Sequence, residues 1–389
     1  MNIIGSVKLK IALWIIAGII ISLGLVIAIG ILMFRREIKK LNPEYIVQFV
    51  KAKSGSGNVS LSIKHNDENW VDVNVNDQLP LASTVKIILA IEYAQQAAAG
   101  KIDPQKEVRL KELENFYIPK TDGGAHETWI TQLKKNKEID RVPLCEVVNG
   151  MIAYSSNANT EYLIEVLGLQ NINHVPKSLD MLKHEPIYPI VSALYIPAQL
   201  MNEKNLSKKE VLEVMKNMDM HEYRNKAVEI HNRWLSQPLT DQEKKQLRKT
   251  LDKDFQKIWS DRLPRSTTRD YVSIMKKLNS KVYFSANVYQ YLDPVMEQIM
   301  RNPNNCEWLV HAGQKGGSTA FILTIAMYAT DKDGNQTDIA FFANDLTSFE
   351  KAKLSRNMNG FLLKFLKDSK FRAHIKKELP NLDLPGSLS

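Results

Sequence analysis

The feature that most constrains this chain is an uncharged apolar run near its start, IALWIIAGIIISLGLVIAIGILMF at positions 11–34. As a helix rising 1.5 Å per residue, this run would reach about 36 Å, enough to cross the roughly 30 Å hydrocarbon core of a bilayer. A cleaved signal peptide is the alternative. Signal peptides have a shorter apolar core that ends in small residues, whereas Arg35 and Arg36 follow this run directly. The sequence therefore predicts an uncleaved anchor that contacts membrane lipid through residues 11–34.

Basic residues on both sides of this run bear on orientation and partners. Lys8 and Lys10 precede it, but four Lys or Arg lie at positions 35–40, so the positive-inside rule alone would place the rest of the chain in the cytoplasm. The chain carries a net charge of +9, of which residues 1–40 contribute +5 and residues 201–262 contribute +3. Charge next to a membrane segment favours a membrane surface, and no basic stripe interleaved with aromatics indicates a nucleic-acid partner.

Composition excludes several classes of protein. With 389 residues, 44% hydrophobic and 24% charged, the chain is neither disordered nor a polytopic membrane protein, and it is long enough for a large core. Its two cysteines, Cys145 and Cys306, exclude a disulfide scaffold. The histidines are scattered and no paired-cysteine or H-E-x-x-H spacing occurs, so we expect no metal or cofactor. We predict a cytoplasmic tail and anchor over residues 1–40, a connector over 41–58, and a folded domain over 59–389.

Hydrophobic patterns predict strands at both ends of the folded domain and helices between them. The segment VSLSIKHNDENWVDVNVNDQ alternates around a polar turn at 65–68, and FILTIAMYATDKDGNQTDIAFFAND consists of two β-rich runs around a D-G turn, so each predicts a β-hairpin. Helical patterns cover residues 84–99, 142–168, with a break at S-S-N, and 349–366. This order predicts an α+β fold with three-layer α/β/α packing.

Residues 201–262 differ from the rest of the domain. They are rich in Lys, Glu, Gln and Met and contain no Gly, which is typical of charged amphipathic helices. We interpret them as a solvated helical insertion, and a protein contact is the alternative.

The motif S-x-x-K occurs at positions 83–86, 273–276 and 348–351, so the motif alone carries little information. Only Ser83 lies between a polar junction and a strongly apolar helix. If Ser83 opens that helix, Lys86 lies one turn later on the same face, where a desolvated amine can accept the hydroxyl proton. The alternative is a capping serine beside a surface lysine.

Two further motifs support a cleft. Ser155 and Asn157 lie in Y-S-S-N-A-N between two helical patterns, where both side chains could project into the same space. Lys315 precedes Gly316 and Gly317 at the start of the late hairpin, where glycines allow a substrate to approach the backbone.

In this order the three motifs resemble those of the penicillin-recognising serine hydrolases, specifically the class A β-lactamases, whose set is S-x-x-K, S-D-N and K-T-G. The resemblance covers about residues 42–368, interrupted by the insertion at 201–262. It implies their α/β/α fold with an antiparallel sheet, and a membrane-anchored hydrolase that forms an acyl-enzyme on a β-lactam or a peptidoglycan-like amide or ester. Because these substrates lie outside the cytoplasmic membrane, it also implies an extracytoplasmic domain.

The resemblance further implies a role for each motif residue. Ser83 would attack a carbonyl carbon, and Lys86, or Glu185 through a water, would take its proton. Glu185 lies in H-E-P-I-Y-P, which resembles the start of the Ω loop, and it would hold the water that hydrolyses the acyl-enzyme. Ser155 would relay a proton to the leaving nitrogen. Substrate binding would fall to Asn157, Lys315, Gly317 and Ser318, with the N–H groups of Ser83 and Ser318 forming the oxyanion hole.

The sequence departs from the family pattern at four places, one of which is Pro189, where the Ω-loop pattern has an asparagine. Ser156 replaces the aspartate of the second motif, and Gly316 replaces a hydroxyl residue that helps to bind the substrate carboxylate. The arginine that many class A enzymes place on the neighbouring strand has no counterpart at 320–324. These departures predict weak recognition of a carboxylated β-lactam, and they leave open a second interpretation, a binding or sensory module with the same fold and little turnover.

Overall fold

Two hairpins that are far apart in the chain meet in one antiparallel sheet. The computed structural model describes residues 36, 38–135 and 139–379. The five strands are β1 (Val59–His65), β2 (Glu68–Val73), β7 (Leu309–Ser318), β8 (Leu323–Asp331) and β9 (Gln336–Ala343), in the spatial order β2-β1-β9-β8-β7. Both predicted hairpins, β1–β2 and β8–β9, are confirmed. Strand β7 therefore forms one edge of the sheet.

Turn residues explain why the two hairpins close where they do. Asn66 and Asp67 connect β1 to β2 with φ angles of 50° and 67°, and Asn and Asp tolerate this left-handed backbone better than most residues. Gly334, with φ of 85°, provides the same freedom between β8 and β9.

The two faces of the sheet bury different side chains, because successive residues of a strand point to opposite sides. On β8, Ala326 and Tyr328 belong to one apolar core, whereas Ile325 and Met327 belong to another. Helices cover both cores. The sheet thus lies between two helical layers, as the predicted three-layer fold requires.

The larger helical layer is built around α2 (Lys86–Ala98), whose predicted extent is confirmed; it follows a 3₁₀ turn, Ala82–Val85, and ends before Gly100. The other helices on this side are α3 (Leu110–Glu114), α4 (Ala125–Leu133), α5 (Leu144–Asn149), α6 (Asn157–Leu167), α7 (Leu169–Ser178), α13 (Thr268–Asn279) and α14 (Ala286–Met296). The short α15 (Pro303–Cys306) precedes β7. Two short strand pairs join β3 (Leu79–Pro80) to β6 (Arg265–Ser266) and β4 (Glu107–Arg109) to β5 (Arg141–Pro143).

The opposite layer contains α1 (Glu44–Lys53), α16 (Ser348–Lys367) and α17 (Ser369–Glu378). Helix α16 confirms the last predicted helix. Helix α1 lies inside the segment predicted to be a connector, and its side chains Ile46, Val47 and Val50 are buried against the sheet. The connector is therefore partly folded, because these apolar residues recur at helical spacing and find a partner surface.

Residues 201–262 form helices, as predicted, but not a solvated elaboration. After α8 (Ile196–Lys204) come α9 (Lys208–Asn217), α10 (Met220–Ser236), α11 (Asp241–Lys249) and α12 (Lys253–Asp261). Each of the last four begins with a side-chain cap, which explains its start. Their apolar faces are buried in a third core that also contains Ala82, next to the S-x-x-K turn. The insertion is thus part of the wall around that turn.

The predicted membrane anchor at 11–34 lies outside the described residues. Within the part of the chain that is described, no helix is both long enough and apolar enough to cross a bilayer.

Candidate active site

A cavity of about 970 Å³ lies where the turn before α2, the end of edge strand β7 and the insertion helices α11 and α12 meet. Its volume is at the upper end of the range of about 300–1,000 Å³ that is usual for ligand pockets. Ser83, Ser155, Asn157, Gly316, Gly317 and Ser318 line this cavity. Lys86 and Lys315 are buried beside it, with 0% and 4% of their surface exposed. The structure therefore brings seven of the eight predicted site residues together.

Ser83 lies in the 3₁₀ turn that leads into α2, with its side chain half-buried at the cavity. Ala82 before it has a φ of 44°, a left-handed conformation that is strained for alanine. Gly317 packs directly on the turn: a Cβ at this position would lie 2.6 Å from Ser83 N and 2.7 Å from Leu81 O. Strained backbone held by close packing is typical of active sites, and it fixes Ser83 against the edge strand.

Lys86 is held behind Ser83 by hydrogen bonds to the loop before α6. Its Nζ donates to Ser155 O at 2.7 Å and to Asn157 Oδ1 at 3.0 Å, with a longer contact of 3.4 Å to Ser155 Oγ. Burial and then the nearby charge of Lys315 hold the pKa of Lys86 well below its ordinary value. Among the hydrogen bonds of the described residues, none joins Lys86 to Ser83. A buried amine of this kind is neutral more readily than a surface lysine and can act as a base.

Lys315 approaches Ser155 from the edge strand, β7. Its Nζ donates to Ser155 Oγ at 3.0 Å and to Gly316 O at 2.7 Å, and burial lowers its pKa to about 7. Ser155 itself has a φ of 71°, which ends the preceding helical turn and directs its side chain between the two amines. The Ser155 hydroxyl therefore connects both lysines and can pass a proton between them and a bound group.

Two threonines that sequence reasoning missed join the edge strand to the S-x-x-K turn. Thr324 Oγ1, on β8, donates to Leu81 O at 2.8 Å and lies 2.7 Å from Thr84 Oγ1. Both hydroxyls are buried. No local motif marks Thr324, because its role depends on the pairing of Gly317 with Thr324 between β7 and β8.

A third missed residue, Asp122, lines the cavity. Its Oδ1 accepts the N–H groups of Gly124 and Ala125 at the start of α4, and its Oδ2 accepts the N–H of Asn157 at 3.3 Å. Its negative charge raises the pKa of Lys86, which opposes the effect of burial. The sequence D-G-G ahead of a helical pattern is a capping signal that could have identified it.

Comparison with known proteins decides the family. The model of the β-lactamase enzyme family matches residues 35–307, well over half of the chain. The chain belongs to the β-lactamase enzyme family. Among curated proteins no match was found.

The chain is also similar to several solved structures. The chromosome-encoded β-lactamase of Vibrio parahaemolyticus is 12% identical, with a TM-score of 0.51 over 84% of this chain and 100% of that one. A class A β-lactamase from Bacteroides cellulosilyticus is 14% identical, with a TM-score of 0.48 over 87% of this chain and 97% of that one. PBP-A, determined as a mutant acyl-enzyme with penicillin G, is 13% identical, with a TM-score of 0.47 over 84% and 97%. The similarity to the Vibrio parahaemolyticus enzyme, at 12% identity, supports the fold alone.

One predicted site residue of this β-lactamase-family chain is not brought to the cavity. The Glu185 carboxylate pairs with Arg224 of the insertion at 3.3 Å, and Glu185 is not among the residues that line the cavity. The buried carboxylate in this region belongs instead to Glu161. It accepts the Val191 N–H at 2.6 Å and lies 2.8 Å from His231 Nδ1 of the insertion. Asp122 is thus the only acidic side chain among the described residues that line the cavity.

The departures from the family pattern have clear structural settings. Ser156 is fully buried, and its Oγ donates to Asn159 Oδ1 at 2.8 Å and lies 2.9 Å from His126 Nδ1. A neutral residue therefore supports this loop through its own hydrogen bonds. At Gly316, a Cβ would meet only Thr324 O, at 3.5 Å, so the position where the family has a hydroxyl is open space.

Proposed function

We propose that this chain is a serine hydrolase that forms an acyl-enzyme on Ser83 with an amide, ester or β-lactam substrate. The observation that carries the proposal is the convergence of two buried lysines, Lys86 and Lys315, on the Ser155 hydroxyl beside Ser83. Two amines with lowered pKa values next to a serine on a strained turn are the arrangement that nucleophilic catalysis requires.

Each residue has a defined step in the proposed reaction. Ser83 Oγ attacks the carbonyl carbon, and the neutral Lys86 amine accepts its proton, directly or through the Ser155 hydroxyl. As the bond between the carbonyl carbon and the leaving nitrogen or oxygen breaks, Ser155 gives its hydroxyl proton to that atom and receives the proton held by Lys86, while the positive charge of Lys315 stabilises the transient Ser155 oxyanion. The Ser83 and Ser318 N–H groups stabilise the developing oxyanion, a contribution of about 3 kcal/mol per donor. Asn157 binds the substrate amide.

Lys86 is favoured over Glu185 as the base of the first step. Glu185 pairs with Arg224 and lies away from the cavity lining, so it does not share a pocket with Ser83. The same observation favours slow hydrolysis of the acyl-enzyme, because a water for this step needs a base and the Asp122 carboxylate is already held by backbone N–H groups. A module that is acylated but turns over slowly is the second function that the site supports.

Covalent labelling tests this proposal. Full-length protein in detergent is treated with a fluorescent penicillin and with a neutral fluorophosphonate, and modification is measured by intact mass. We expect labelling of the wild type and none in Ser83→Ala. The matched control is Ser348→Ala, since Ser348 is an exposed serine that begins another copy of S-x-x-K at a helix start. The lifetime of the adduct then separates a hydrolase from an acylated receptor. Absence of any Ser83-dependent labelling would refute both.

We also propose that residues 11–34 anchor the chain in the membrane with residues 59–389 outside the cytoplasm. The uncharged 11–34 run supports the anchor, and the chemistry of the site supports the orientation, because cell-wall substrates lie outside. Two reporters fused after Ser389 test orientation, one active only in the cytoplasm and one active only outside it. Activity of the cytoplasmic reporter alone would refute the orientation.

A further inference from the structure

The insertion gives the cavity an apolar wall. Five large apolar side chains form this wall: Ile190, Leu194, Leu251, Trp259 and Leu263. Leu251 and Trp259 belong to the insertion and are half-buried, so part of each side chain faces the open space of the cavity. Apolar side chains that line a cavity bind apolar ligand groups, because the contact removes both surfaces from water.

The apolar wall is the open edge of the third core. Ile190, Leu194 and Leu263 are buried members of that core, and Leu251 and Trp259 pack against it. Ala82 belongs to the same core and also lines the cavity. Because Ala82 directly precedes Ser83 in the chain, the apolar surface begins beside the nucleophile. An apolar group of a substrate at Ser83 would therefore extend the third core.

Hydrogen bonds within the protein occupy the polar groups next to this wall. Trp259 Nε1 donates to Ile190 O at 2.8 Å, so the indole fixes its ring in place and offers the cavity only apolar surface. Gln256, which also lines the cavity, donates its side-chain amide to Leu251 O. The apolar wall is thus formed before any ligand arrives, which reduces the entropic cost of binding.

The position of the apolar wall indicates which part of a substrate it would contact. Ser260, next to Trp259, donates its hydroxyl to Thr319 Oγ1 at 2.9 Å, and Thr319 directly follows Ser318 at the end of β7. Ser155, which protonates the leaving atom in the proposed reaction, lies instead at the start of α6, between the two lysines. The leaving group therefore points towards Ser155, and the acyl group has the apolar wall beside it.

We propose that the substrate of Ser83 is an amide or ester with an extended aliphatic acyl group, and that the apolar wall of the insertion binds this group. The inference rests on the proposed function, because it names the class of substrate for the same serine. The cavity of about 970 Å³ has room for such a chain beside the reacting carbonyl. The insertion then selects substrates by the length of their acyl chain.

The test varies only the acyl chain. Full-length protein in detergent is mixed with 4-nitrophenyl esters of two, four and six acyl carbons, and the initial release of 4-nitrophenolate is followed by absorbance, with the rate of Ser83→Ala subtracted. Ser83 Oγ bonds to the acyl carbon, the bond to 4-nitrophenolate breaks, and Lys86 receives the hydroxyl proton. We expect the second-order rate to rise by up to about fourfold for each added methylene group.

Variants of Leu251 assign this rise to the apolar wall. Leu251→Ala should lower the six-carbon rate at least about threefold and leave the two-carbon rate within about twofold of the wild type. Leu251→Met, which nearly keeps the volume, should retain the wild-type response. Leu212→Ala is the matched control, because Leu212 also packs half-buried against the third core but is not among the residues that line the cavity.

Three results would overturn the inference: wild-type rates that do not rise with chain length, a rise that Leu251→Ala leaves intact, or an equal loss in Leu212→Ala. Far-UV circular dichroism shows that each variant is folded in the assay. A wild type that shows no Ser83-dependent labelling by the penicillin or the fluorophosphonate would instead overturn the proposed function.

Discussion

Adjacent glycines on the edge strand provide the sharpest test of the site geometry. At Gly317, an added Cβ would lie 2.6 Å from both Ser83 N and Thr324 Oγ1 and 2.7 Å from Leu81 O. At Gly316, an added Cβ would meet only Thr324 O, at 3.5 Å, an ordinary contact. Neither glycine has a positive φ, so replacement by alanine acts through space and not through backbone strain.

The magnitude follows from the distance that must open. For Gly317→Ala to reach ordinary contact, the Ser83 turn and β7 must separate by about 0.8 Å, and a displacement near 1 Å at a reacting group costs about 10²-fold in rate. We therefore expect acylation of Ser83 to slow by about 10²-fold, equivalent to about 2.7 kcal/mol. The overpacked strand should also lose about 1–3 kcal/mol of unfolding free energy. Gly316→Ala should change the rate by less than about twofold.

The assay is the second-order rate of Ser83 acylation by a fluorescent penicillin, measured on both variants and on the wild type. Urea unfolding, monitored by far-UV circular dichroism, confirms that each variant is folded at the assay temperature. A folded Gly317→Ala variant that is acylated at the wild-type rate would refute the claim that close packing on β7 holds the nucleophile. Equal slowing in both variants would show that the strand, and not this contact, sets the geometry.

Three further predictions concern buried charge. Lys315→Met removes a positive neighbour that lowers the pKa of Lys86, so that pKa rises and the acidic limb of the pH–acylation profile moves to higher pH. Asp122→Asn removes a charge that raises the same pKa, so the limb should move to lower pH; shifts in the same direction would contradict the assignment of Lys86 as base. Glu161→Gln keeps an oxygen for the two backbone N–H groups but replaces Oε2, which accepts from Ser192 Oγ and lies 2.8 Å from His231 Nδ1, by an N–H donor; denaturant unfolding should show a loss of about 1–3 kcal/mol, against less than about 0.5 kcal/mol for exposed Glu229→Gln.

Local patterns were sufficient for the two predicted hairpins and for the main predicted helices of the domain. Alternation and the N-D turn at Asn66 and Asp67 predict the first hairpin, and the apolar run that ends at Gly100 predicts α2. These elements are predictable because their signals are short-range: side-chain period, turn conformation and helix termination all depend on neighbouring residues. The same holds for Ser83 and Lys86, because three residues of the chain, about one helical turn, separate them.

Predictions that required long-range information were less accurate. Glu185 has a suitable local sequence, but the insertion provides Arg224 as its partner, so its carboxylate lies away from the cavity. The segment at 201–262 reads as solvated because its helices are highly charged, yet one face of each packs into the third core. The connector contains α1 because the face of the sheet that packs against α16 and α17 offers an apolar surface. In each case the deciding partner lies far away in the sequence.

The sequence by itself determined the hairpins, the main helices, the order of the three motifs and the family that they indicate, because these follow from local spacing and residue type. Only the tertiary structure decided which groups share the cavity. It placed Lys86 and Lys315 on the two sides of the Ser155 hydroxyl, added Asp122 and Thr324, excluded Glu185 and brought the insertion into the wall. The physical reason is that burial and charge, which set the pKa values of the two lysines, are properties of the packed surroundings and not of any one segment.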